Sequence, residues 1–412
     1  VYDEESGQTW RDYLLDQAID DLTQVTALVH TAESEGYTLP QKDQAYLESQ
    51  LNSLDSVWRS NSSYDSLSSY LKLNYGSYMD EDTFRQIYAD QVLADSYRQH
   101  YQDSLTYTDE EAETYYSEHA NDLDTFGYTV FTVQATVEEQ TDEEGNTVEM
   151  TDEEKTAALE TAKADALATA QAIQSRLTNG EDAQALADEY ADALYSSSIH
   201  TTAMGSTFSS AAYADWLYDA ARQSGDITLA ELDRSESSAY NYYVVQFDSR
   251  TRDDSATADV RHILIGAASS GTTPTQEEFD AAEAEAQALL DQWKAGDATE
   301  DSFAALAVQN TDDSGSQSTG GLYTGISSTD SLEPNFLNWA LDPARQPGDT
   351  GIVKNESSSI QGWHIMYFVG WDDPAWEYTV KSTWKTDDTS EWLSSLTENL
   401  ETVRGSGLNY VS

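Results

Sequence analysis

Two twelve-residue stretches of this chain are near-copies of each other. DWLYDAARQSGD occupies residues 215–226 and NWALDPARQPGD occupies residues 338–349. Trp216 and Trp339 lie 123 positions apart, and the Asp, Arg, Gln, Gly and Asp that follow them keep the same offset. Self-similarity at a long, fixed period is the signature of a duplicated structural module. The sequence therefore predicts two related domains in tandem.

The elements predicted around the two copies follow the same order. Alternating aromatic and β-branched residues predict a first strand at FGYTVFTVQATV and again at VRHILIGA. Ala-rich amphipathic segments that end at Gly180 and Gly296 predict a long helix after each strand. YNYYVVQFDSR and QGWHIMYFVGW predict the closing strands. The offset between matching residues drifts from 116 to 123 along the copies, as loop insertions after a duplication would leave it.

The two ends of the chain lack this pattern. Residues 8 to about 122 favour one amphipathic helix after another, and the tail favours a single helix from about Thr389 to Arg404. A lone terminal helix needs a surface to pack on, and the helical N-terminal region is the obvious candidate. We therefore predict an α+β protein in four parts: a helical N-terminal domain at 1–124, the first copy at 125–252, the second copy at 253–372, and a C-terminal tail at 373–412 that packs back on the N-terminal domain.

Composition excludes several functions. The formal net charge of −56 argues against nucleic acid and against anionic membrane surfaces, which are bound by clustered Lys and Arg. The chain has no cysteine, so it can form neither disulfides nor zinc–thiolate sites. No apolar run approaches the roughly 20 residues of a membrane-spanning helix, so we predict no transmembrane segment. The absence of cysteine suits an extracytoplasmic protein, and a lipid anchor on a residue before Val1 stays an open alternative.

Four spaced motifs distinguish the second copy: HILI with His262, NTDDSGSQSTGG, LEPNF, and PGDTGIV followed by GWHIMYF. In this order they resemble the first strand, the acidic loop before a Gly-Gly turn, the M-x-x-x-F segment and the last strand of parvulin-type peptidyl-prolyl cis-trans isomerases. The resemblance covers residues 258 to 371. With the helical N-terminal region included, the whole arrangement is similar to the PrsA-like and SurA-like extracytoplasmic foldases.

The resemblance implies a fold, a reaction and a site. The fold is a small antiparallel sheet with surrounding helices, and the reaction is rotation about X-Pro bonds, whose barrier is roughly 20 kcal/mol. A catalyst needs only an apolar cleft that favours the twisted amide, so we predict no cofactor and no metal. By resemblance, His262 and His364 lie side by side beneath the pocket and Asp313, with Asp312 as the alternative, belongs to the acidic loop. These three positions are the predicted catalytic residues.

The predicted substrate-binding residues are Leu332 and Phe336. They are four residues apart and so share one face of a helix, where they would hold the proline ring. The sequence also departs from the family here: Gly320-Gly321 is followed by Leu-Tyr-Thr-Gly, where the family commonly has Asp-Leu-Gly. This departure keeps a second hypothesis open, in which the second copy binds peptide without catalysis.

The first copy keeps the scaffold residues and lacks those of the pocket. Tyr213 stands opposite Phe336 and Tyr243 opposite His364, while no histidine matches His262 and no Gly-Gly turn is present. We therefore predict a catalytically degenerate first copy, with isomerase activity in the second copy only.

The leading hypothesis is an extracytoplasmic folding factor with isomerase and holdase activity on unfolded or secreted polypeptides that contain X-Pro bonds. The alternative is a catalytically inactive peptide-binding chaperone built from two parvulin folds. A third hypothesis is a surface adhesin on the same scaffold, which would neither isomerise nor protect its partner. The helical region is also a candidate homodimer interface, by analogy alone.

Overall fold

The computed structural model describes residues 7–60, 64–137, 140–141, 147–148, 150–234, 239–356 and 359–403. The chain divides into two compact units, and the first is built from two separate stretches, Val1–Ala112 and Ser255–Ser412. The second unit is Glu113–Asp254. A search of the described helices for one long and apolar enough to cross a membrane finds none.

Helices dominate the N-terminal stretch, and strands gather in two later regions. In chain order the α-helices are α1 (Trp10–Glu35), α2 (Gln41–Arg59), α3 (Leu67–Tyr75), α4 (Glu81–Ser104), α5 (Asp109–Leu123), α6 (Asp152–Thr178), α7 (Ala183–Glu189), α8 (Ala214–Tyr218), α9 (Gln276–Ala295), α10 (Glu300–Asn310), α11 (Pro334–Ala340) and α12 (Ala375–Thr397). The strands are β1 (Thr125–Ala135), β2 (Gln140–Thr141), β3 (Thr147–Val148), β4 (Ser196–Met204), β5 (Ile227–Arg234), β6 (Ala239–Thr251), β7 (Ala256–Gly266), β8 (Leu322–Ile326), β9 (Thr350–Asn355) and β10 (Gly362–Pro374). The predicted α+β class, with a helical N-terminal region and antiparallel sheets, is confirmed.

Side-chain caps fix where several of these helices start. Thr9 accepts a hydrogen bond from the backbone N–H of Asp12, whose carboxylate accepts from the Thr9 N–H in return. The same capping box starts α9 at Thr275 and α10 at Thr299. Each box satisfies backbone donors that a helix start leaves unpaired.

The C-terminal helix differs from its predicted extent. It begins at Ala375, directly after Pro374, and ends at Thr397, whereas the sequence placed it between Thr389 and Arg404. Arg404 itself lies outside the described residues. The helix packs between α1 and α4, where its apolar residues meet the buried part of both helices. The contacting residues are Trp392, Leu393 and Leu396 of α12 with Leu28, Ala32, Ala94 and Tyr97.

The sheet of the first unit has the strand order β8-β7-β10-β9, with antiparallel neighbours throughout. Because side chains alternate across a strand, β7 and β10 bury one row on each face. One row packs with α9 and α10 around Ile263, Ile365 and Phe303. The other row packs with α11 around Val260, Met366 and other apolar residues. The central strands therefore carry two cores.

An N-terminal helix belongs to the same unit as this sheet. Helix α2 packs against α10, and Ala45 lies with Ala305 and Val308 in one buried cluster. Small side chains at this contact let the two helices approach closely.

The sheet of the second unit has the strand order β4-β1-β6-β5. In each unit the first strand lies centrally, between the second and the last strand of the sheet, and the third strand pairs with the last. The long helix α6 packs on β1, β5 and β6. The two sheets thus share one topology.

The repeated motif does the same structural job in both units. Arg345 lies over the Trp339 ring at 4.2 Å, and Arg222 lies over the Trp216 ring at 4.9 Å. Arg345 Nε also donates to the Trp339 carbonyl at 3.1 Å. Each arginine therefore braces its own helix end.

The glycine of each repeat makes a left-handed turn. Gly225 and Gly348 have φ angles of 90° and 91°, a region that strongly favours glycine. Their N–H groups donate to the carbonyls of Phe247 and Phe368 at 2.8 and 2.9 Å. These hydrogen bonds hold each turn against the closing strand of its sheet. The residues that the two repeats share therefore have a structural role.

Candidate functional site

Two neighbouring strands place the predicted histidines together. His262 lies on β7 and His364 on β10, in a register that pairs His262 with Met366 and Leu264 with His364. The two histidines are therefore diagonal neighbours on one face of the sheet, and their Nδ1 atoms are 3.1 Å apart. His262 is 2% exposed and His364 is 6% exposed. Burial of two adjoining imidazoles requires that each find a hydrogen-bond partner.

The loop after α10 brings the acidic partner. Asp313 Oδ2 lies 3.0 Å from His262 Nε2 and accepts a hydrogen bond from Ser316 Oγ at 2.6 Å. Ser316 Oγ is itself 3.1 Å from His262 Nε2, and the Tyr323 hydroxyl donates to the same carboxylate at 3.3 Å. Asp313, Ser316 and His262 thus form a closed triangle at the floor of a pocket.

Asp312, the alternative acid, faces elsewhere. Its N–H donates to the Leu264 carbonyl at 2.8 Å, and its Oδ2 accepts from the Gly266 N–H at 2.8 Å. Asp312 therefore ties the loop to the edge of β7, which leaves Asp313 as the carboxylate in contact with His262.

The pKa values of the acid and the imidazoles describe the charge of the Asp313–His262–His364 network. Burial, together with the neighbouring His262, lowers the pKa of His364 to about 3, so this imidazole is neutral at neutral pH. The hydrogen bond from His262 holds the pKa of the Asp313 carboxyl well below its ordinary value, against the opposing effect of burial, and Ser316 adds to the lowering. An ionised Asp313 accepts the Nε2–H of His262. The Nδ1 atoms of His262 and His364 are joined by a further hydrogen bond at 3.1 Å.

Helix α11 supplies the apolar wall. Phe336 is buried, and its ring centroid lies 5.3 Å from that of His262 and 5.2 Å from that of His364, edge-on in both cases. Leu332 is half-buried and lies before the helix, which starts with Glu333 as N-cap and Pro334 at its first turn, so the predicted shared helix face of Leu332 and Phe336 is wrong although both line the pocket. Tyr323 closes the wall at 5.1 Å from His262 and 5.8 Å from Phe336, ring centroid to ring centroid.

These residues line one pocket of about 240 Å³. All five predicted positions contribute to its lining. The remaining lining residues are Leu264, Tyr323, Ser331, Glu333, Asn355, Ser359 and Ile360. The cavity has an apolar wall and a hydrogen-bonded floor.

The Gly-Gly turn is held in place by a buried arginine. Arg261 Nη1 donates to the carbonyls of Thr319 and Gly320 at 2.7 and 3.1 Å, while Arg261 Nε bonds to Glu300 at 2.9 Å. Gly321 has φ of 74°, and a Cβ built there would lie 2.1 Å from the His262 carbonyl oxygen. The turn therefore needs glycine, despite the unusual residues that follow it.

Ser316 and Tyr323 were not predicted from the sequence. Ser316 follows Asp313 by three residues, a spacing that lets a hydroxyl return to a carboxylate across a turn, and this Asp-x-x-Ser pattern was available as a signal. Tyr323 gave no local signal, because its contact with His262 depends on the pairing of β7 with β8.

A group of carboxylates close enough to bind a metal occurs within the described ranges, at Asp109, Asp373 and Glu377. Lys381 lies among them, with its Nζ 2.9, 2.9 and 2.7 Å from the three carboxylates in that order. The lysine is thus the cation of this cluster, at the start of α12.

Comparison with known proteins bears on the second copy. Residues 262–370 match the rotamase family, described as the PPIC-type PPIase domain. The chain carries a parvulin-type PPIase domain. Among solved structures, the chain is similar to the peptidylprolyl isomerase PrsA from Bacillus anthracis, with 18% identity and a TM-score of 0.22 over 37% of this chain and 64% of that one. The match therefore spans less than two thirds of the solved protein. No curated protein matches the chain.

The second unit presents different residues at the positions of the PPIase pocket. Tyr243 pairs with Thr132 as His364 pairs with Leu264, so Val130 takes the register position of His262. Tyr243 and Tyr213 pack edge-on with ring centroids 5.4 Å apart. Aromatic and aliphatic side chains thus replace the histidine pair.

Proposed function

We propose that this protein is an extracytoplasmic folding factor whose PPIase domain catalyses cis-trans isomerisation of X-Pro bonds in unfolded or secreted polypeptides. The observation that carries the proposal is the buried His262–His364 pair under Phe336, joined to Asp313, at the floor of the pocket within the matched domain.

The geometry suits a rotation more than a bond-breaking reaction. Rotation about X-Pro disrupts amide resonance, and the planar amide is better solvated by water than the twisted one is, so an apolar pocket lowers the barrier. Leu332 and Phe336 would hold the proline ring. The hydrogen-bond chain from Asp313 through His262 to His364 would keep the pocket floor rigid while the amide turns, so that little reorganisation is needed in the transition state.

A protease-coupled assay on a proline tetrapeptide tests this function. We expect His262→Ala and Phe336→Ala each to lower kcat/KM at least tenfold. Asp349→Asn, in the turn before β9, is the control, because asparagine keeps an acceptor for the Gln346 N–H. Wild-type rates equal to the uncatalysed rate would overturn the proposal.

We propose that activity belongs to the PPIase domain only. Support comes from the Tyr243 and Val130 substitutions at the two histidine positions of the second unit. Its shared topology and repeated turn motif favour a second parvulin-type fold that has lost its pocket. The test is the residual activity of His262→Ala: a rate well above the uncatalysed one, and unaffected by Tyr213→Ala, would still fit this proposal, whereas a fall on Tyr213→Ala would refute it.

A groove between α1 and α4 supports holdase activity. Leu22, Val25, Val29 and Ile87 line a cavity of about 460 Å³. Leu22 is 63% exposed and Ile87 is 51% exposed, so the groove presents apolar surface to solvent. The acidic lining residues are Asp21, Glu33 and Asp90. An apolar groove with an acidic rim suits unfolded segments that mix apolar and basic residues.

Aggregation of a denatured client protein tests the groove. We expect Leu22→Ser and Ile87→Ser to weaken protection while isomerase activity stays unchanged. Leu73→Ser is the matched control, because Leu73 is 72% exposed on α3 and does not line the groove. Equal protection by all three variants would exclude the groove.

The inactive peptide-binding chaperone is the second candidate. The residues after Gly321, which depart from the family pattern, favour it. It predicts aggregation suppression with no catalysis, so the same two assays separate the candidates. Extracytoplasmic location, a lipid anchor and a homodimer through the helical region are further proposals; fractionation and sedimentation of the native protein would test them.

A further inference from the structure

The pocket of the PPIase domain carries an unbalanced charge. Asp313 and Glu333 are its acidic lining residues, and among the described residues neither lysine nor arginine lines it. The Asp313 carboxylate is already hydrogen-bonded to His262, Ser316 and Tyr323. Glu333 therefore carries the carboxylate that an incoming peptide would meet.

The contacts of the Glu333 carboxylate are hydrogen bonds to neutral groups. Oε2 accepts from the Phe336 N–H at 2.9 Å, and Oε1 accepts from Asn335 Nδ2 at 3.2 Å. Among the described residues no ion pair to this carboxylate is found. Each oxygen can accept a second hydrogen bond, so the group keeps capacity for a cation from outside.

The basic side chains of the same domain are held elsewhere. Arg261 pairs with Glu300, Arg345 lies over Trp339, and the Nζ of Lys354 lies over the Phe279 ring at 4.5 Å. The fourth, Lys294, lies in the last turn of α9, and none of the four lines the pocket. Arg261, Arg345 and Lys354 form ion pairs with carboxylates other than Glu333.

In a bound peptide, the side chain of the residue before proline can reach the Glu333 carboxylate. Glu333 follows Leu332 directly, so a proline ring on Leu332 and Phe336 lies close to the carboxylate. The residue before proline has its Cα about 3.8 Å from the proline Cα, or about 2.9 Å across a cis bond. A lysine or arginine at that position has a flexible stem long enough to place its charge beside Glu333.

We propose that the PPIase pocket selects X-Pro bonds in which X is basic, and that Glu333 is the residue that sets this preference. The inference rests on the proposed isomerase function and names its substrate class. A pair of opposite charges in contact at a partly exposed site changes affinity about three- to tenfold. Dissolved salt reduces the effect.

A series of tetrapeptides with Lys, Ala or Glu before proline tests the preference. In the protease-coupled assay at low salt we expect kcat/KM to fall in the order Lys, Ala, Glu, with about a fivefold step from Lys to Ala. Added salt should lower the rate for Lys, raise the rate for Glu and bring the three values together. Equilibrium affinity of the full-length protein for the same peptides should follow the same order.

Glu333→Gln isolates the charge. Glutamine keeps an oxygen that accepts from the Phe336 N–H, so the helix cap is retained while the charge is lost. We expect the Lys-to-Glu ratio to fall toward one. Glu283→Gln is the matched control, because Glu283 is exposed on α9, which packs on the other face of the sheet, and we expect the ratio to be unchanged.

The outcomes separate this inference from the proposed function. Catalysis of all three peptides at equal rates, or an unchanged ratio in Glu333→Gln, overturns the charge preference and leaves the isomerase function standing. Absence of catalysis overturns the isomerase function, and peptide affinity then decides the preference by itself: equal affinities refute it, and tighter binding of the Lys peptide that Glu333→Gln abolishes supports it.

Discussion

Asp312 and Asp313 are neighbours in the chain, yet their side chains belong to different parts of the fold. Asp313 bonds to His262, whereas Asp312 bonds to the backbone of β7. We expect Asp313 to matter more for the site than Asp312, because its carboxylate stabilises a buried ring. Charge-assisted hydrogen bonds contribute more than neutral ones.

Asparagine substitutions measure this difference. Asp313→Asn loses the charge that holds the His262 ring, and we expect kcat/KM to fall about tenfold, the ratio that corresponds to the gap between charged and neutral hydrogen bonds. Asp312→Asn keeps an acceptor for the Gly266 N–H, so we expect a change within about twofold. A larger loss in Asp312→Asn than in Asp313→Asn would reverse the assignment.

His364 makes stability depend on pH in a direction that its environment fixes. Its pKa is lowered from 6.5 to about 3 by burial and by His262, so the folded protein keeps this ring neutral where the unfolded chain would protonate it. The stabilisation is fully present above pH 6.5 and is lost as pH falls toward 3, by at most about 1.4 kcal/mol per pH unit. Asp259 opposes this, because burial raises its pKa to about 6.

Chemical denaturation at several pH values tests the histidine. The difference in free energy of unfolding between wild type and His364→Gln removes the contribution of Asp259, which both proteins share. We expect wild type to lose more stability than His364→Gln between pH 6.5 and 4. Parallel curves would mean that His364 is protonated in the folded protein.

The site residues that could be predicted from the sequence are those that lie at characteristic spacings within motifs. His262, Asp313, Leu332, Phe336 and His364 came from ordered motifs, and the structure brings all five to one pocket, while their catalytic and binding roles stay predictions. Ser316 had a local signal in the Asp-x-x-Ser pattern, whereas Tyr323 was missed because its contact with His262 arises only when β8 pairs with β7. Local sequence carries little of that information.

At the scale of elements, the turn at Gly320 and Gly321 sets how closely β8 can approach β7. A left-handed φ and a backbone carbonyl in contact distance both act on Gly321. Gly271 has a φ of 77°, but no atom of the described residues lies within 4 Å of a Cβ built on it. A comparison of Gly271 with Gly321 therefore separates the cost of backbone conformation from the cost of a steric clash.

Alanine at these two glycines should destabilise the protein unequally. For Gly271→Ala we expect a loss of about 1 kcal/mol, which is the cost of a left-handed backbone for a residue with a Cβ. For Gly321→Ala we expect at least about 2 kcal/mol more, because β7 must move away from the added methyl group. Urea denaturation measures both, and equal losses would show that the strand pair adapts without cost.

The bounds of the first strand, the long helix and the closing strand were predicted well in each repeat, whereas β4, β5, β8 and β9 were not predicted and the start of α12 was placed too late. Within the repeats, capping residues and glycines mark the ends of helices. The first half of α12, AWEYTVKSTWKT, is rich in aromatic and β-branched residues, which have low helix propensity. Packing against α1 and α4 overrides that propensity, so a rule based on local preference started the helix too late.

On the scale of the whole molecule, the first unit depends on contacts between the two ends of the chain. Trp392 of α12 stacks on Tyr101 of α4 with ring centroids 3.8 Å apart and an interplanar angle of 7°. Tyr107 likewise bonds to Asp388 at 2.8 Å. These contacts join segments that are almost 300 residues apart in sequence.

Removing one ring measures that dependence. We expect Trp392→Ala to lower the free energy of unfolding by about 2 kcal/mol, less than the 3–5 kcal/mol of a fully buried ring because Trp392 is half-buried. Trp10→Ala is the control, since Trp10 is 59% exposed on α1, and we expect a loss of about 0.5 kcal/mol or less. Similar losses in the two variants would show that α12 contributes little to the helical region.

The split of the first unit has a consequence for the order of folding. A chain made from its amino end completes Glu113–Asp254 while the unit that encloses it in sequence still lacks its second half. Leu28 and Tyr97 gain their α12 partners only when residues near 392 emerge. Helices α1 and α4 thus precede the second unit in synthesis but are covered only after it, so we expect the packing of α12 to complete the first unit.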